Sequence, residues 1–296
     1  MAEVTLELIK QLREKTNVGM MDCKGALKEA DGDLEVAETI LRKKGMASAD
    51  KKASRATKEG IIATLINDEA KSGVLIDVGC ETDFVSKNEN FRNFVGQLLG
   101  YAAEAGELDS LEAYLALTPD GGESIEDIVK VKVGELGENM VVSNVVKFTV
   151  GEAGGSNGII ASYIHMEGKI GVLIEVGCQN ADTEKNEAFN ALVKDITLHI
   201  AAAHPICLTR DEVSADIVAK EREVYAEQVK GKPENIIEKI VDGKLDKFFS
   251  GSCLLEQGFI KDPDQSIEDL LKASSADLGD ELSIRRFARF AVGEEG

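Results

Sequence analysis

Apolar residues in the first part of the chain recur at the three- and four-residue spacing of amphipathic helices. Three helices are predicted from that spacing, with apolar positions at Leu8, Ile9 and Leu12, then at Met20, Met21, Cys23, Ala26 and Leu27, then at Leu34, Ala37, Ile40 and Leu41. Thr5 and Asp33 suit helix caps, and Gly45 suits a helix end. We therefore predict a three-helix module over residues 1–45. Residues 46–59 lack apolar periodicity and are predicted to be a linker.

The rest of the chain contains a duplication. Residues 60–91 align with residues 158–189 at a constant offset of 98, and 18 of the 32 positions are identical. The match resumes later at an offset of 142, where residues 124–127 and 266–269 both read Ser-Ile-Glu-Asp. The difference between the offsets, 142 minus 98, places 44 inserted residues in the second copy.

Each copy begins with two runs of β-branched residues separated by a polar turn, which predicts a β-hairpin. In the first copy a helix follows, with one apolar face formed by Phe91, Phe94, Val95, Leu98 and Leu99. We predict an α+β fold in which a β-β-α-α-β core with antiparallel sheets occurs twice, over residues 60–152 and 153–296.

The insertion in the second copy is predicted to be an antiparallel helical hairpin over about residues 214–249. Two charged helical stretches, residues 214–230 and 233–249, are joined by Gly231 and Lys232. Their facing apolar stripes are predicted to be Ile217, Val218, Val224 and Tyr225 against Ile236, Ile237, Ile240 and Val241.

Composition and charge narrow the class of function. The net charge of -20 and the pI near 4.6 argue against a nucleic-acid binder that works by neutralising phosphates. Cys80 and Cys178 end equivalent strands and are expected to be reduced packing residues. No apolar run approaches the roughly 20 residues of a membrane span, and the first helix begins too close to Met1 for a signal peptide. We therefore expect a cytoplasmic protein without a membrane partner.

The sequence offers little catalytic chemistry. It has no phosphate-binding GxxxxGK[ST] loop, no GxGxxG after a strand, no HExxH and no paired cysteine spacing for a metal. The histidines, His165, His199 and His204, have no accompanying cluster of carboxylates or thiols in the sequence. We predict no catalytic residue, no metal site and no cofactor.

One short segment differs between the two copies. Residues 81–86 read Glu-Thr-Asp-Phe-Val-Ser, whereas residues 179–184 read Gln-Asn-Ala-Asp-Thr-Glu. Phe84 and Val85 either pack into their own core or form an exposed tip that enters a partner; the second copy favours the tip, because it builds the same unit with Asp182 and Thr183. Met20 and Met21 also have two possible placements, in the core of the three-helix module or in an exposed patch. The core is slightly favoured, because both residues lie at the start of a helix that has one buried face.

Several sequence blocks together resemble the elongation factor Ts family. Thr82-Asp83-Phe84-Val85, between the strand VLIDVGCE and Ser-Lys-Asn, is similar to that family's TDFV loop. The other similar blocks are Val18-Gly19-Met20-Met21-Asp22-Cys23-Lys24, Leu136-Gly137-Glu138-Asn139, Tyr163-Ile164-His165, Ile170-Gly171-Val172-Leu173 and His199-Ile200-Ala201-Ala202. The resemblance runs in order from about residue 3 to residue 294. The extra C-terminal helix of some members is not expected.

The resemblance implies a guanine-nucleotide exchange factor for the GTPase elongation factor Tu, with no direct contact to nucleic acid. It implies that Asp83 and Phe84, flanked by Thr82 and Val85, enter between helices of the GTPase domain and disturb its Mg²⁺ and phosphate-loop region. Supporting contacts to the partner are implied for Met20, Met21, Leu136, Gly137 and His165.

Two other classes of function stay open. Three short helices with a Gly-Met turn are similar to ubiquitin-associated modules, so an adaptor is one alternative, and residues 1–45 would then suffice for binding. An enzyme with an unrecognised site in the cleft between the repeats is the other. It would turn over a small molecule without a partner.

Overall fold

A computed structural model describes residues 4–231 and 233–294 of the chain. Helices make up 52% of the structure and strands make up 22%. The sheets are antiparallel, which is compatible with the predicted α+β class. Lys232, predicted in the turn of the helical hairpin, lies outside the described residues, as do the outermost residues of the first and last predicted segments. Within these ranges, no helix is long and apolar enough to cross a membrane.

The three N-terminal helices start where the sequence predicts. α1 spans Leu6–Thr16, α2 spans Met20–Glu29 and α3 spans Leu34–Lys52. Both predicted caps are confirmed, because the Thr5 hydroxyl accepts a hydrogen bond from the Leu8 N–H and the Asp33 carboxylate accepts two at the start of α3. The helices bury a shared apolar cluster: Ile9, Leu12, Cys23, Ala26, Leu27, Ala30, Ala37 and Leu41.

The predicted end of α3 at Gly45 is wrong, because the helix continues to Lys52 and takes up residues 46–52 of the predicted linker. Gly45 of α3 lies against Gly134 of the helix α7 (Ile125–Leu136). Ala49, one turn further along α3, is buried in the core that α7 also covers. Gly45 therefore serves close approach of two backbones, not termination. The buried face of this part of α3 consists of small residues, so no periodicity of large apolar residues marks it in the sequence.

The first sheet has the strand order β1-β2-β3. Its strands are β1 (Glu59–Ile66), β2 (Ser72–Cys80) and β3 (Met140–Thr149). Between β2 and β3 lie α7 and a second long helix, α5 (Glu89–Glu104). The same segment also contains two short helices that were not predicted, α4 (Asp83–Ser86) and α6 (Leu111–Leu115).

The second sheet has the order β4-β5-β8. Its strands are β4 (Asn157–His165), β5 (Ile170–Cys178) and β8 (Ser283–Ala291), and its two long helices are α8 (Glu187–Ala203) and α11 (Ile267–Leu278). Its strand pairing follows that of the first sheet. Cys178 lies opposite Asn157 as Cys80 lies opposite Glu59, and each central strand has a pairing irregularity, after Asp77 and after Glu175.

The two sheets pack against each other, and the long helices cover their outer faces. The layer between the sheets is apolar and contains Ile62, Leu75, Phe148, Ile160 and Leu173. Outer-face residues of β2 pack against α5 and α7, and those of β5 pack against α8 and α11. We call the β1-β2-β3 sheet with α5 and α7 the first unit and the β4-β5-β8 sheet with α8 and α11 the second unit. Because both faces of the central strands are covered, their sequences are mostly apolar, and each strand contains one buried acidic residue, Asp77 or Glu175.

The segment that is predicted to be an insertion forms the helices α9 (Ala215–Gln228) and α10 (Glu234–Ser252), which pack side by side. The predicted stripe is correct for Val218, Tyr225, Ile237, Ile240 and Val241. It is wrong for Ile217, Val224 and Ile236, which are exposed, because neighbouring positions on a helix point about 100° apart and the outer one of each pair faces water. A small sheet of β6 (Gly258–Phe259) and β7 (Asp262–Ser266) follows and was not predicted.

Candidate partner-binding site

The segment that differs between the repeats is a single helical turn, α4, directly after β2. Thr82 caps this turn, since its hydroxyl accepts a hydrogen bond from the Val85 N–H at 3.5 Å. The predicted loop is therefore a helical turn. Thr82 followed by Asp83 is a common start of a helix, and this signal was present in the sequence.

The two apolar side chains of α4, Phe84 and Val85, lie in different environments. Phe84 is 82% exposed, more than any other large apolar side chain among residues 4–231 and 233–294. Val85 is half-buried and packs against the core of the first unit, and Ser86 is buried. The predicted exposed tip therefore consists of Phe84, whereas Val85 attaches the turn to the protein.

Asp83 and Lys87 form an ion pair across the turn. The Lys87 Nζ donates to a carboxylate oxygen of Asp83 at 2.8 Å, and both side chains are largely exposed. The hydrogen bond and the charge of Lys87 hold the pKa of Asp83 below its usual range. The exposed Phe84 is thus flanked by a carboxylate that stays ionised at neutral pH.

Glu138 holds the start of α4 from the other side of the unit. Its carboxylate accepts hydrogen bonds from the Thr82 N–H at 3.0 Å and from the Thr82 hydroxyl at 2.6 Å. It follows Gly137, which ends α7 in the left-handed conformation with φ of 81°. Glu138 directly follows Leu136 and Gly137, which are predicted as supporting contacts, and it links their segment to Thr82. Glu138 itself was not singled out, although the second copy has an acidic residue, Asp280, at the offset of 142.

A further predicted residue, His165, lies at the end of β4, and Arg92 connects that region to α4. Arg92 Nε donates to the Ser86 carbonyl at 3.4 Å, and its guanidinium lies 3.8 Å from the carboxylate of Glu167 in the β4–β5 turn. His165 is exposed, and its Nδ1 lies 2.9 Å from the Tyr163 hydroxyl. The neighbouring Met166 is 67% exposed, so this turn presents an apolar side chain to solvent.

Met20 and Met21 are on the surface, which contradicts the slight preference for the core. Met21 is 77% exposed and Met20 is 40% exposed, while Cys23, Ala26 and Leu27 form the buried face of α2. The buried face of α2 therefore begins at Cys23.

In the second unit, two polar side chains of the turn equivalent to α4 are bound to other residues of the protein. Thr183, at the position of Val85, is buried, and its hydroxyl donates to Asp280 at 2.6 Å. Glu184 accepts from Lys71 Nζ at 2.5 Å and from the Gly158 N–H at 2.8 Å. No large apolar side chain extends from this turn, which reads Ala-Asp-Thr-Glu-Lys.

The histidines do not form a reactive centre. His199 is buried, with its Nε2 2.9 Å from the Gln257 side-chain oxygen and its Nδ1 accepting from the Ile260 N–H, and burial lowers its pKa. His204 is exposed at the end of α8. Across the described parts of the chain, no group of three or more His, Cys, Asp and Glu side chains is arranged to hold a metal ion.

Comparisons with known proteins agree on one family. Residues 81–294 match the family model described as elongation factor TS. The chain is 41% identical to elongation factor Ts of Trichlorobacter lovleyi, with 98% of this chain and 93% of the relative covered. It is 40% identical to the Nitratidesulfovibrio vulgaris protein of the same name, covering 99% and 96%. It is 39% identical to that of Clostridium perfringens, covering 98% and 93%.

Proposed function

The chain belongs to the elongation factor Ts family and is a translation elongation factor, and from this premise we propose that it is a guanine-nucleotide exchange factor for elongation factor Tu. It would bind the GDP-loaded GTPase and promote the release of GDP and Mg²⁺. On this proposal the chain performs no chemical step of its own and needs no cofactor. It would act in the cytoplasm, where translation takes place, and its net charge of -20 disfavours direct contact with nucleic acid.

The exposure of Phe84 is the observation that carries the proposal. Its ring is 82% exposed on a turn that is held by the Thr82 cap, by Glu138 and by the packing of Val85. The second unit has an aspartate at this point, so the fold does not require an aromatic ring there. An exposed aromatic side chain on a preorganised support is typical of an anchor that fills a pocket in a partner.

The proposed mechanism is differential binding. If Asp83 and Phe84 fit the nucleotide-free GTPase better than the loaded form, the factor weakens GDP binding by the same ratio by which GDP weakens binding of the factor. Mg²⁺ requires near-ideal octahedral coordination at about 2.0–2.1 Å, so a small displacement of its ligands removes much of its contribution to nucleotide affinity. An apolar side chain and one carboxylate on a rigid turn are sufficient for this task.

The remaining predicted residues are proposed to hold the partner while the turn acts. Leu136, Gly137 and His165 lie on segments joined to α4 through Glu138 and Arg92. Met20 and Met21 offer a separate exposed apolar surface on the N-terminal module. We further propose that residues 60–152 and 153–296 are two copies of one unit, a proposal supported by their equal strand order and pairing.

The test is the rate of release of fluorescent GDP from elongation factor Tu. Substoichiometric amounts of this protein should accelerate release, and Phe84→Ala should remove part of that acceleration. No acceleration at any concentration would rule the proposal out.

The two alternatives predict different results. An adaptor that binds through its N-terminal module predicts that residues 1–45 suffice for binding and that Phe84→Ala has no effect. An enzyme predicts turnover of a small molecule by this protein alone. The exposure of Phe84 favours exchange over both.

A further inference from the structure

Cys207 and Cys253 face each other where the helical hairpin joins the second unit. Cys207 lies on the segment that leads into α9, and Cys253 directly follows α10. The two residues form a parallel β-bridge. The Leu254 N–H donates to the Cys207 carbonyl at 2.9 Å, and the Ile206 N–H donates to the Ser252 carbonyl at 2.9 Å. The main chain therefore holds the entry and the exit of the insertion side by side.

The geometry of this pair suits a disulfide. The two Sγ atoms lie 3.5 Å apart. A disulfide requires Cα atoms about 4.4–6.8 Å apart, and bridged strands are about 4.8 Å apart, so the backbone already meets the requirement. Rotation of the side chains would close the remaining gap. Cys80 and Cys178 differ, because each thiol contacts a carbonyl oxygen, that of Thr82 or Asn180, at 3.3 Å.

The two thiols differ in access. Cys207 is 8% exposed and lines a cavity of about 450 Å³ together with Pro205, Arg286 and Phe290, whereas Cys253 is fully buried. Burial raises the pKa of both thiols, that of Cys253 to about 12. At Cys207, the hydrogen bond between the two thiols partly offsets this increase in pKa. Cys207 is therefore the thiol that a small oxidant reaches, and its ionisation is opposed less strongly than that of Cys253.

We propose that Cys207 and Cys253 are a dithiol that hydrogen peroxide oxidises to an intramolecular disulfide. First, the Cys207 thiolate attacks one peroxide oxygen; an S–O bond forms, the O–O bond breaks, and the departing hydroxide takes up the proton that Cys207 lost. Then the Cys253 sulfur attacks the Cys207 sulfur; the S–S bond forms, the S–O bond breaks, and the leaving hydroxide takes the Cys253 proton. Two thiols lose two electrons and two protons, and the peroxide becomes two waters.

The cross-link closes the base of the hairpin. It joins residues 46 positions apart, and all of α9 and α10 lie between them. Along its length the hairpin has its own apolar core around Val229, Val241 and Leu245, whereas its base is held by the cluster of Val213 and Phe249 around the two thiols. Oxidation therefore suppresses local opening at the base without rearranging the helices. This inference does not depend on the proposed exchange function.

The experiment exposes the full-length reduced protein to hydrogen peroxide under native conditions, followed by alkylation in denaturant. The mass should fall by two hydrogens, two of the five cysteines should escape alkylation, and peptide mapping should join Cys207 to Cys253. Hydrogen exchange at the Ile206 and Leu254 amides should slow at least tenfold and recover after reduction with dithiothreitol.

Single-cysteine variants distinguish the roles of the two thiols. With Cys253→Ser, a sulfenic acid should accumulate on Cys207 and be trapped by dimedone. With Cys207→Ser, the remaining Cys253 should react at least tenfold more slowly than Cys207 does in the other variant. Cys80 and Cys178 should stay reduced throughout. Separate over-oxidation of Cys207 and Cys253, or a cross-link that involves Cys80 or Cys178, would overturn the proposal.

Discussion

Gly45 of α3 and Gly134 of α7 lie in direct backbone contact. A Cβ atom on Gly134 would come within 2.4 Å of the Gly45 Cα, whereas one on Gly45 would lie 3.5 Å from the Gly134 Cα. The first half of α3 closes the N-terminal module, and its second half packs on the first unit through Ala49. This crossing makes α3 a shared element, so Met21 and Phe84 are carried by one connected structure.

Replacing Gly134 by alanine should weaken this crossing. The added methyl group meets backbone that cannot rotate away, so we expect Gly134→Ala to lower the free energy of unfolding by about 1–3 kcal/mol. Urea unfolding measures the loss, and hydrogen exchange should show it in α3. Gly96→Ala is the matched control, because no atom lies within 4 Å of a Cβ there, and it should stabilise α5 by about 0.5–1 kcal/mol. Equal effects of the two substitutions would disprove the close-approach role.

Giving α4 the residues of the second unit should remove exchange and leave the fold intact. The double substitution Asp83→Ala and Phe84→Asp keeps the cap at Thr82 and the buried Val85 and Ser86. We expect a stability change within about 1 kcal/mol, because the altered side chains are exposed. GDP release should fall to the intrinsic rate of elongation factor Tu.

Two further variants make this result specific. Phe84→Ala alone should weaken the interaction with the nucleotide-free GTPase by about 2 kcal/mol or more, as for an anchor residue. Leu65→Ala, which truncates an apolar side chain that is 43% exposed on β1, serves as the control and should leave exchange unchanged. Full activity of the double variant would show that α4 is not the active element.

Glu138→Ala should lower exchange more than it lowers stability. The substitution removes the acceptor of two hydrogen bonds from Thr82, so α4 loses preorganisation while the core beneath it remains. We expect a several-fold slower exchange and a change in melting temperature of a few degrees. Asp280→Ala is the matched change in the second unit, where the carboxylate accepts from Gln179, Asn180 and Thr183. It should lower the melting temperature without lowering exchange by the folded protein.

Asp77 should make the protein less stable as the pH rises. It is 2% exposed, and burial raises its pKa from 3.8 to about 6. The folded state therefore binds more protons than the unfolded state between pH 4 and pH 6, so stability falls across that window and stays lower above it. Asp77→Asn should raise the free energy of unfolding at pH 8 by up to about 3 kcal/mol, and by about 1.5 kcal/mol less at pH 5.

The second unit provides the control for this prediction. Glu175, the counterpart of Asp77, accepts from Arg285 at 3.0 Å and from Arg286 at 2.7 Å. Glu175→Gln should therefore destabilise the protein, because it removes the carboxylate partner of the largely buried Arg285 and one of the two carboxylate partners of Arg286, which keeps Glu152. Urea unfolding of both variants at pH 5 and pH 8 gives the comparison. A gain in stability from Glu175→Gln would show that Arg285 and Arg286 do not make Glu175 more favourable in the folded state than Asp77.

Much of the architecture could be predicted from local patterns. The caps at Thr5 and Asp33 and the two helices of the insertion follow from the preferences of neighbouring residues. The repeat added information that one copy lacks, because residues present in both copies serve packing. It identified residues 81–86 as the segment that differs, and the same comparison at the offset of 142 would have identified Glu138 through Asp280.

By itself the sequence determined the spacing of apolar residues, the helix caps, the internal repeat and the family, because these are properties of consecutive or aligned residues. Only the tertiary structure decided that α3 runs past Gly45, that Phe84 faces solvent while Val85 packs inward, and that Cys207 meets Cys253. Each of these depends on a contact with a residue far away in the chain. Thr82 and Glu138 are 56 positions apart, and the two cysteines are 46 apart. Such pairs are chosen by the packing of whole elements, and no local preference encodes them.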